Sequence, residues 1–179
     1  MVFTDGSFAK NLDLSSQIGY FIALVNETAR TDNEFTIRGN AVHWSSTKCK
    51  RVTRSVLASE LYGMVNGFDF GLSIATTIRM ITARIGLPEI PLIVCTDSYS
   101  LYECLVKLGT TKEKRLMIDL MALRQLYEKR EITEIWWIDG GSNPAAAMTK
   151  GTPNRALERF VDSNQLKVKM EGFVERPAG

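Results

Sequence analysis

The apolar positions of the chain begin as three runs of strand length, at residues 2–7, 17–25 and 33–45. Clusters of asparagine and aspartate separate these runs, as is typical of turns between strands. Strands joined by such short connections pair antiparallel. The start of the chain is therefore predicted to be a three-stranded antiparallel meander.

A long helical pattern follows at residues 55–84, and a Gly-Leu-Pro sequence ends it. Its apolar residues recur at steps of three and four, which is the repeat of a helix face that packs on a core. Gly63, Gly67 and Gly71 lie four residues apart within it, although each glycine costs roughly 1 kcal/mol relative to alanine in a helix. This stripe predicts a helix that approaches a sheet closely.

The rest of the chain predicts two further strands and four helices. The strands lie at residues 91–96 and 134–138, and the helices at 99–108, 112–130, 143–149 and 154–164. This order predicts an α/β fold with a five-stranded mixed sheet, in which three antiparallel strands precede two parallel ones and helices pack on the sheet. The chain has neither the glycine-rich turn of a Rossmann domain nor the lysine motif of a P-loop.

Composition and charge narrow the class of protein. The chain has 179 residues, of which 45% are hydrophobic and 23% charged, and 22 basic against 20 acidic residues leave a net charge of +2. These values predict a single folded domain over residues 1–179, with a core at 2–150 and a C-terminal helix and tail at 151–179. The apolar stretches are shorter than the roughly 18 residues of a membrane span. We therefore do not expect a membrane protein. The three cysteines form no paired motif, so we do not expect a secreted protein either.

Three carboxylates occupy positions where a rigid element would hold the side chain. Asp5 lies in the first predicted strand, Glu60 near the start of the long helix, and Asp97 at the carboxyl end of the fourth strand. Divalent cations such as Mg²⁺ prefer oxygen ligands, and two-metal phosphoryl transfer needs several carboxylates from different elements. A single aspartate at a strand end is more often a turn or cap residue. Together, in this order of elements, the three acids predict a metal-dependent catalytic site.

Four motifs in combination resemble a known family. They are Thr4-Asp5-Gly6-Ser7, residues 54–61 around Glu60, Cys95-Thr96-Asp97-Ser98, and residues 143–150. Over nearly the whole chain they resemble the ribonuclease H domain of copia-type LTR retrotransposon polyproteins, especially the fungal ones. The resemblance implies the ribonuclease H-like fold and hydrolysis of the RNA strand of RNA/DNA hybrids during reverse transcription.

The resemblance also implies a metal site and shows one departure from the family. In that family four acids bind two Mg²⁺ ions, for which Mn²⁺ can substitute. Asp5 is implied to bridge both ions, while Glu60 and Asp97 are implied to hold the ion on the leaving-group side. The position of the fourth acid is Ala146 in this chain. Its loss implies weak binding of the ion that activates the attacking water, and hence an impaired enzyme.

Two explanations of Ala146 stay open. One is an engineered substitution, which the intact remaining motifs favour because a decaying gene would lose several features. The other is natural decay of the element or of a domesticated copy.

Basic residues near the predicted site are candidates for contact with nucleic-acid phosphates. The first group, just ahead of the long helix, consists of Lys48, Lys50, Arg51 and Arg54. A second group, later in the chain, consists of Lys112, Lys114 and Arg115. Because the net charge is only +2, a solvated charged face is the alternative interpretation. By the resemblance, Ser7 and Ser98, which follow the two aspartates in their motifs, complete the substrate-binding set.

Three hypotheses for the function stay open. The first is a ribonuclease H domain impaired at Ala146, and the second is a nucleic-acid-binding or scaffolding module that keeps the fold without catalysis. The third is another enzyme on the same fold, such as an integrase-type strand transferase. For the first, the implied partners are an RNA/DNA hybrid and the reverse transcriptase polymerase domain of the same polyprotein. We expect a monomer, in the cytoplasm within a virus-like particle or in the nucleus.

Overall fold

The computed structural model describes residues 1–107 and 111–176, and these form six strands and four α-helices. The strands are β1 (Val2–Ser7), β2 (Gln17–Arg30), β3 (Glu34–Lys48), β4 (Ile93–Thr96), β5 (Glu134–Ile138) and β6 (Gln165–Phe173). The helices are α1 (Val56–Arg84), α2 (Tyr99–Lys107), α3 (Met117–Glu128) and α4 (Ala156–Ser163). Short 3₁₀ helices lie at Lys114–Leu116, Gly140–Ser142 and Pro144–Met148.

The strands form one closed mixed sheet in the order β1-β2-β3-β6-β5-β4. The antiparallel meander of β1, β2 and β3 is confirmed, and β4 pairs in parallel with both β1 and β5. Thr96 of β4 lies between Thr4 of β1 and Trp137 of β5. The carboxyl ends of these three strands therefore meet at one edge of the sheet.

The prediction of five strands is wrong, because residues 165–173 form a sixth. β6 pairs antiparallel with β3, where Glu34 lies opposite Lys169, and with β5, where Trp136 lies opposite Phe173. Buried and exposed side chains alternate along its first half, as in a strand with one face on the core. The region predicted as a helix and tail thus contains α4 and a strand that covers the edges of β3 and β5.

Alternate residues of the strands enter two cores on opposite faces of the sheet. Val94 and Ile135 face the core that α1, α2 and α3 cover. The next residues in the same strands, Cys95 and Trp136, pack in the second core with Phe160 of α4. Successive side chains of a strand point to opposite faces, so burial on both faces explains the nearly unbroken apolar runs of β4 and β5.

The long helix α1 lies closely against β1, as its glycine stripe predicts. Ser55 caps the start of the helix through its side-chain oxygen. A Cβ atom placed on Gly67 would lie 2.8 Å from Cγ2 of Thr4, and one placed on Gly71 would lie 2.5 Å from Cγ2 of Val2. Only glycine leaves room for β1 at these positions.

Two of the predicted helices differ from the structure in type. The helix predicted at residues 112–130 is a 3₁₀ turn followed by α3, and the one predicted at 143–149 is a 3₁₀ helix. The helix predicted at 99–108 agrees with α2, and its last residue, Leu108, lies outside the described residues.

None of the helices in the described part of the chain has the length and apolar character that crossing a membrane requires.

Candidate active site

Three acidic side chains converge at the sheet edge where β1 and β4 end. Asp5 comes from β1, Glu60 from near the start of α1, and Asp97 directly follows β4. One carboxylate oxygen of each residue lies within 4.8 Å of the other two. Asp5 and Glu60 are buried, and Asp97 is half-buried. The structure therefore brings together the three carboxylates that the sequence singles out.

Glycine residues allow Asp5 and Glu60 to meet. A Cβ atom on Gly6 would lie 2.5 Å from the carbonyl carbon of Ser59, and one on Gly63 would lie 2.7 Å from the carbonyl oxygen of Asp5. The Gly6 N–H also donates a hydrogen bond to Oε2 of Glu60 over 3.1 Å. Because a side chain at either glycine would push α1 away from β1, these glycines set the separation of the two acids.

The surroundings of Glu60 and Asp97 disfavour the charged forms of these two carboxyl groups. Burial, together with the charges of Asp5 and Asp97, raises the pKa of Glu60 well above its usual range. Burial and the charge of Asp5 raise the pKa of Asp97 to about 6. Buried like charges need a counter-cation to remain ionised together, and carboxyl groups perturbed in this way are characteristic of functional sites.

Two residues of the last motif, to which the sequence reasoning assigned no role, complete the cluster. Nζ of Lys150 lies 3.1 Å from Oδ1 of Asp5 and 3.9 Å from Oδ2 of Asp97. The Thr149 hydroxyl donates a hydrogen bond to Oδ2 of Asp5. Burial opposes the charge of the ammonium group, but the carboxylates of Asp5 and Asp97 outweigh it and raise the pKa of Lys150. Both residues lie far from Asp5 in the sequence, so only the fold reveals these contacts.

Ala146 lies in the 3₁₀ helix Pro144–Met148, which packs against β1 and β2. It is buried, and its carbonyl oxygen accepts a hydrogen bond from the Lys150 N–H over 3.1 Å. Asn143 caps the helix, and its side-chain amide donates to the carbonyl oxygen of Thr4 over 2.9 Å. The last motif is thus fixed beside β1, but its helix, with the sequence PAAAM, brings no carboxylate there.

The two serines of the predicted substrate-binding set lie close to the acids. Ser7 is buried at the end of β1. The hydroxyl oxygen of Ser98 accepts a hydrogen bond from the Leu101 N–H over 3.3 Å and lies 3.2 Å from the hydroxyl of Ser100. Ser98 therefore fixes the first turn of α2 next to Asp97, while contact of either serine with substrate stays a prediction.

The first basic group lies on the surface between β3 and α1, and all four of its side chains are exposed. Two of them are engaged with acidic residues. Lys48 forms an ion pair with Asp13. Arg51 lies 3.0 Å from Oδ2 of Asp119, and its guanidinium group lies 4.9 Å from the ring centre of Tyr62.

The other two residues of this group, Lys50 and Arg54, make no hydrogen bond or ion pair within the described residues. Unpaired cations bind phosphate without first breaking an ion pair. Lys50 and Arg54 are therefore the members of this group best suited to contact a nucleic-acid backbone. The second group is also exposed, and there Arg115 lies 3.1 Å from Oε2 of Glu113.

Solved structures with the same architecture place this site in a known fold. The chain is similar to LC11-RNase H1 in complex with an RNA/DNA hybrid, with a TM-score of 0.53 and 17% identity over 87% of this chain and 97% of that one. It is also similar to LC11-RNase H1 isolated from compost by a metagenomic approach, with a TM-score of 0.54 and 17% identity over 87% of this chain and 96% of that one. The fold is that of ribonuclease H. No protein-family model and no curated protein sequence matches the chain.

Within this ribonuclease H fold, the donor set of the site fits a hard divalent cation. The ligand atoms available are carboxylate oxygens from Asp5, Glu60 and Asp97, and they are close enough together to bind a single ion. Mg²⁺ and Mn²⁺ favour oxygen ligands of this kind, whereas the thiolate and imidazole ligands of zinc sites are absent from the cluster. The acidic cluster can therefore hold a metal.

Proposed function

We propose that the chain is a ribonuclease H domain that hydrolyses the RNA strand of an RNA/DNA hybrid and that is impaired by alanine at position 146. One observation carries the proposal: Asp5, Glu60 and Asp97 converge within 4.8 Å at the carboxyl edge of a sheet with the ribonuclease H fold. The complex of LC11-RNase H1 with an RNA/DNA hybrid supports the choice of substrate.

The three acids would hold Mg²⁺ or Mn²⁺, which polarises a phosphoryl oxygen and lowers the pKa of a bound water. The chain's own groups fix the acids for this task. The Gly6 N–H orients the carboxylate of Glu60, and the Thr149 hydroxyl orients that of Asp5. The hydrogen bond from Gly6 lowers the pKa of Glu60, against the effect of burial, and so favours the ionised form that a cation requires.

Impairment follows from the local charge. Even when all three are ionised, the carboxylates of Asp5, Glu60 and Asp97 carry a formal charge of only −3, whereas two divalent ions carry +4. A fourth carboxylate at position 146 would bring the charge of the site closer to that of two metal ions. With alanine there, the second ion is weakly held, so hydrolysis is slow although the fold and the other three acids are intact.

The motifs around these acids support the origin of the domain. We propose that it belongs to a copia-type LTR retrotransposon polyprotein of fungal type, where it follows the reverse transcriptase polymerase domain and acts as a monomer. Its place of action is then a cytoplasmic virus-like particle or the nucleus. An engineered substitution is the favoured origin of Ala146, because the remaining motifs are intact.

Cleavage of a hybrid labelled on the RNA strand tests the proposal. The chain and its Ala146→Asp variant are compared at equal concentration in Mg²⁺ and in Mn²⁺. We expect the variant to cut and the unmodified chain to cut slowly or not at all. Efficient cleavage by the unmodified chain would show that position 146 is not the fourth ligand.

A non-catalytic binding module is the second candidate, and the absence of an acid at Ala146 favours it. If neither protein cuts but both bind the hybrid, the domain is a binding module. A strand transferase would prefer duplex DNA to hybrid, so a titration with both nucleic acids distinguishes it from the other two candidates.

A further inference from the structure

The Lys150 ammonium group lies among the carboxylates that a metal would use. Its Nζ is 3.1 Å from Oδ1 of Asp5 and 3.9 Å from Oδ2 of Asp97. A divalent cation bound by the same carboxylates needs these oxygen atoms as ligands. The ammonium group and the metal therefore compete for the same negative charge.

The surroundings of Lys150 allow its side chain to leave. The backbone of Lys150 is fixed, because its N–H donates to the carbonyl oxygen of Ala146 over 3.1 Å. The side chain is 43% exposed, and its ion pairs with Asp5 and Asp97 are its only polar contacts within the described residues. A lysine has four rotatable bonds in its side chain, so the ammonium group can reach solvent while the backbone stays in place.

Removal of Lys150 would leave the metal-free site without a counter-charge. Asp5 is fully buried, and the side chain of Asp97 is only 12% exposed. Buried carboxylates without a cation destabilise the fold. Lys150 thus neutralises part of the negative charge of the cluster, as a bound metal would.

We propose that Lys150 is a tethered cation that occupies the acidic cluster in the resting protein and must withdraw before a divalent metal binds. This inference rests on the proposed function, because it requires the metal site. It assigns Lys150 a positioning role: the side chain sets the metal concentration at which the site fills, and it preserves the arrangement of the acids until then.

Mn²⁺ binding without nucleic acid, measured by electron paramagnetic resonance, tests the competition. The proteins are the unmodified chain, Lys150→Met, and Lys129→Met as a control that removes an equal charge. Lys129 is exposed just after α3, at the end of β5 away from Asp97. We expect Lys150→Met to bind Mn²⁺ about tenfold more tightly, with no change for Lys129→Met. Equal affinity in all three proteins would overturn the inference but not the proposed function.

A second measurement uses the unmodified chain and does not depend on how the variant folds. In protein labelled with ¹³C-lysine, we expect the Cε resonance of Lys150 to move towards that of a solvated lysine as Mg²⁺ saturates the site. An unchanged Lys150 resonance at saturation would overturn the withdrawal. If no protein binds either metal, the metal site itself is wrong and the inference fails with it.

Discussion

Gly63 of α1 lies directly against the main-chain carbonyl of Asp5 in β1, and a Cβ atom at Gly63 would stand 2.7 Å from that oxygen. The helix and the strand that carry two of the three acids are therefore in backbone contact. Glu60 lies one turn earlier on the same helix, so any displacement of the helix also changes the separation of Asp5 and Glu60.

We expect Gly63→Ala to destabilise the protein by about 2 kcal/mol, because the added methyl group overpacks the contact between α1 and β1. On an exposed helix the same change would be stabilising, since alanine is the better helix former. Urea unfolding measures the effect, and Gly151→Ala is the control because a Cβ there meets no atom within 4 Å. Equal stability of both variants and the parent would contradict the close contact.

In the Ala146→Asp background, we expect Asp5→Asn to abolish metal-dependent cleavage of the hybrid. The amide removes a negative charge from the residue at the centre of the cluster, where Lys150 and Thr149 also converge. The matched control is Asp139→Asn, because Asp139 caps the 3₁₀ helix Gly140–Ser142 and an asparagine can cap equally well. Undiminished cleavage by the Asp5→Asn protein would contradict the assignment of Asp5 as a metal ligand.

The contribution of Asp97 to the stability of the metal-free protein is expected to fall as the pH rises from about 4 to 7. The pKa of Asp97 is about 6 in the folded protein, against an ordinary value of 3.8. A carboxyl group whose pKa is raised by folding binds its proton more tightly in the native state. Its stabilising contribution is therefore complete below the ordinary pKa and disappears as the pH passes through the folded value.

Urea unfolding of the parent and of Asp97→Asn across this pH range measures the effect of Asp97. The shift predicts a relative loss on the order of 2–3 kcal/mol in the parent. Burial and the charge of Asp5 raise the pKa of Glu60 in both proteins, whereas the part caused by the charge of Asp97 is lost in Asp97→Asn and adds to the difference between them. Parallel curves of the free energy of unfolding against pH for the two proteins would contradict the raised pKa of Asp97. Saturating Mg²⁺ should reduce the difference between the two curves.

Binding of the hybrid should depend on Lys50 and Arg54 more than on basic residues elsewhere. Both are exposed and lack ion-pair partners within the part of the chain that the structure describes. Each alanine substitution is expected to weaken binding and to reduce the slope of log K against log salt by about 0.7–0.9. Lys167→Ala is the control, since Lys167 lies on β6 and is paired with Glu34 at 3.3 Å. Equal effects of all three substitutions would show that binding depends on the total charge of the protein and not on Lys50 and Arg54 in particular.

Much of the fold could be predicted from the sequence because its local patterns are strong. The helix α1 runs to Arg84 as its apolar repeat and the Gly-Leu-Pro stop indicate. The strand β6 was missed although buried Leu166 and Val168 alternate with exposed Lys167 and Lys169, the pattern of a half-buried strand. Its partners β3 and β5 lie far away in the chain, and no local signal shows that they have open edges.

The site was only partly predictable, for a related reason. Asp5, Glu60 and Asp97 each occupy a position in a motif, so the residues themselves can be identified from the sequence. Lys150 is part of a motif too, but the charge that it neutralises comes from residues on other elements. Thr149 reaches Asp5 in the same way. Contacts of this kind depend on the relative placement of strands, which hydrophobic patterns do not encode.

The place of β6 in the sheet has a consequence for the order of folding. It is the last of the strands in the described residues, yet it lies between β3 and β5 and closes the ring. Pairing of Glu34 with Lys169 requires closure of a very long loop, which is a slow step. During synthesis the edges of β3 and β5 therefore stay unpaired until β6 has been made and has paired with them. Until then, another chain can add a strand to these edges.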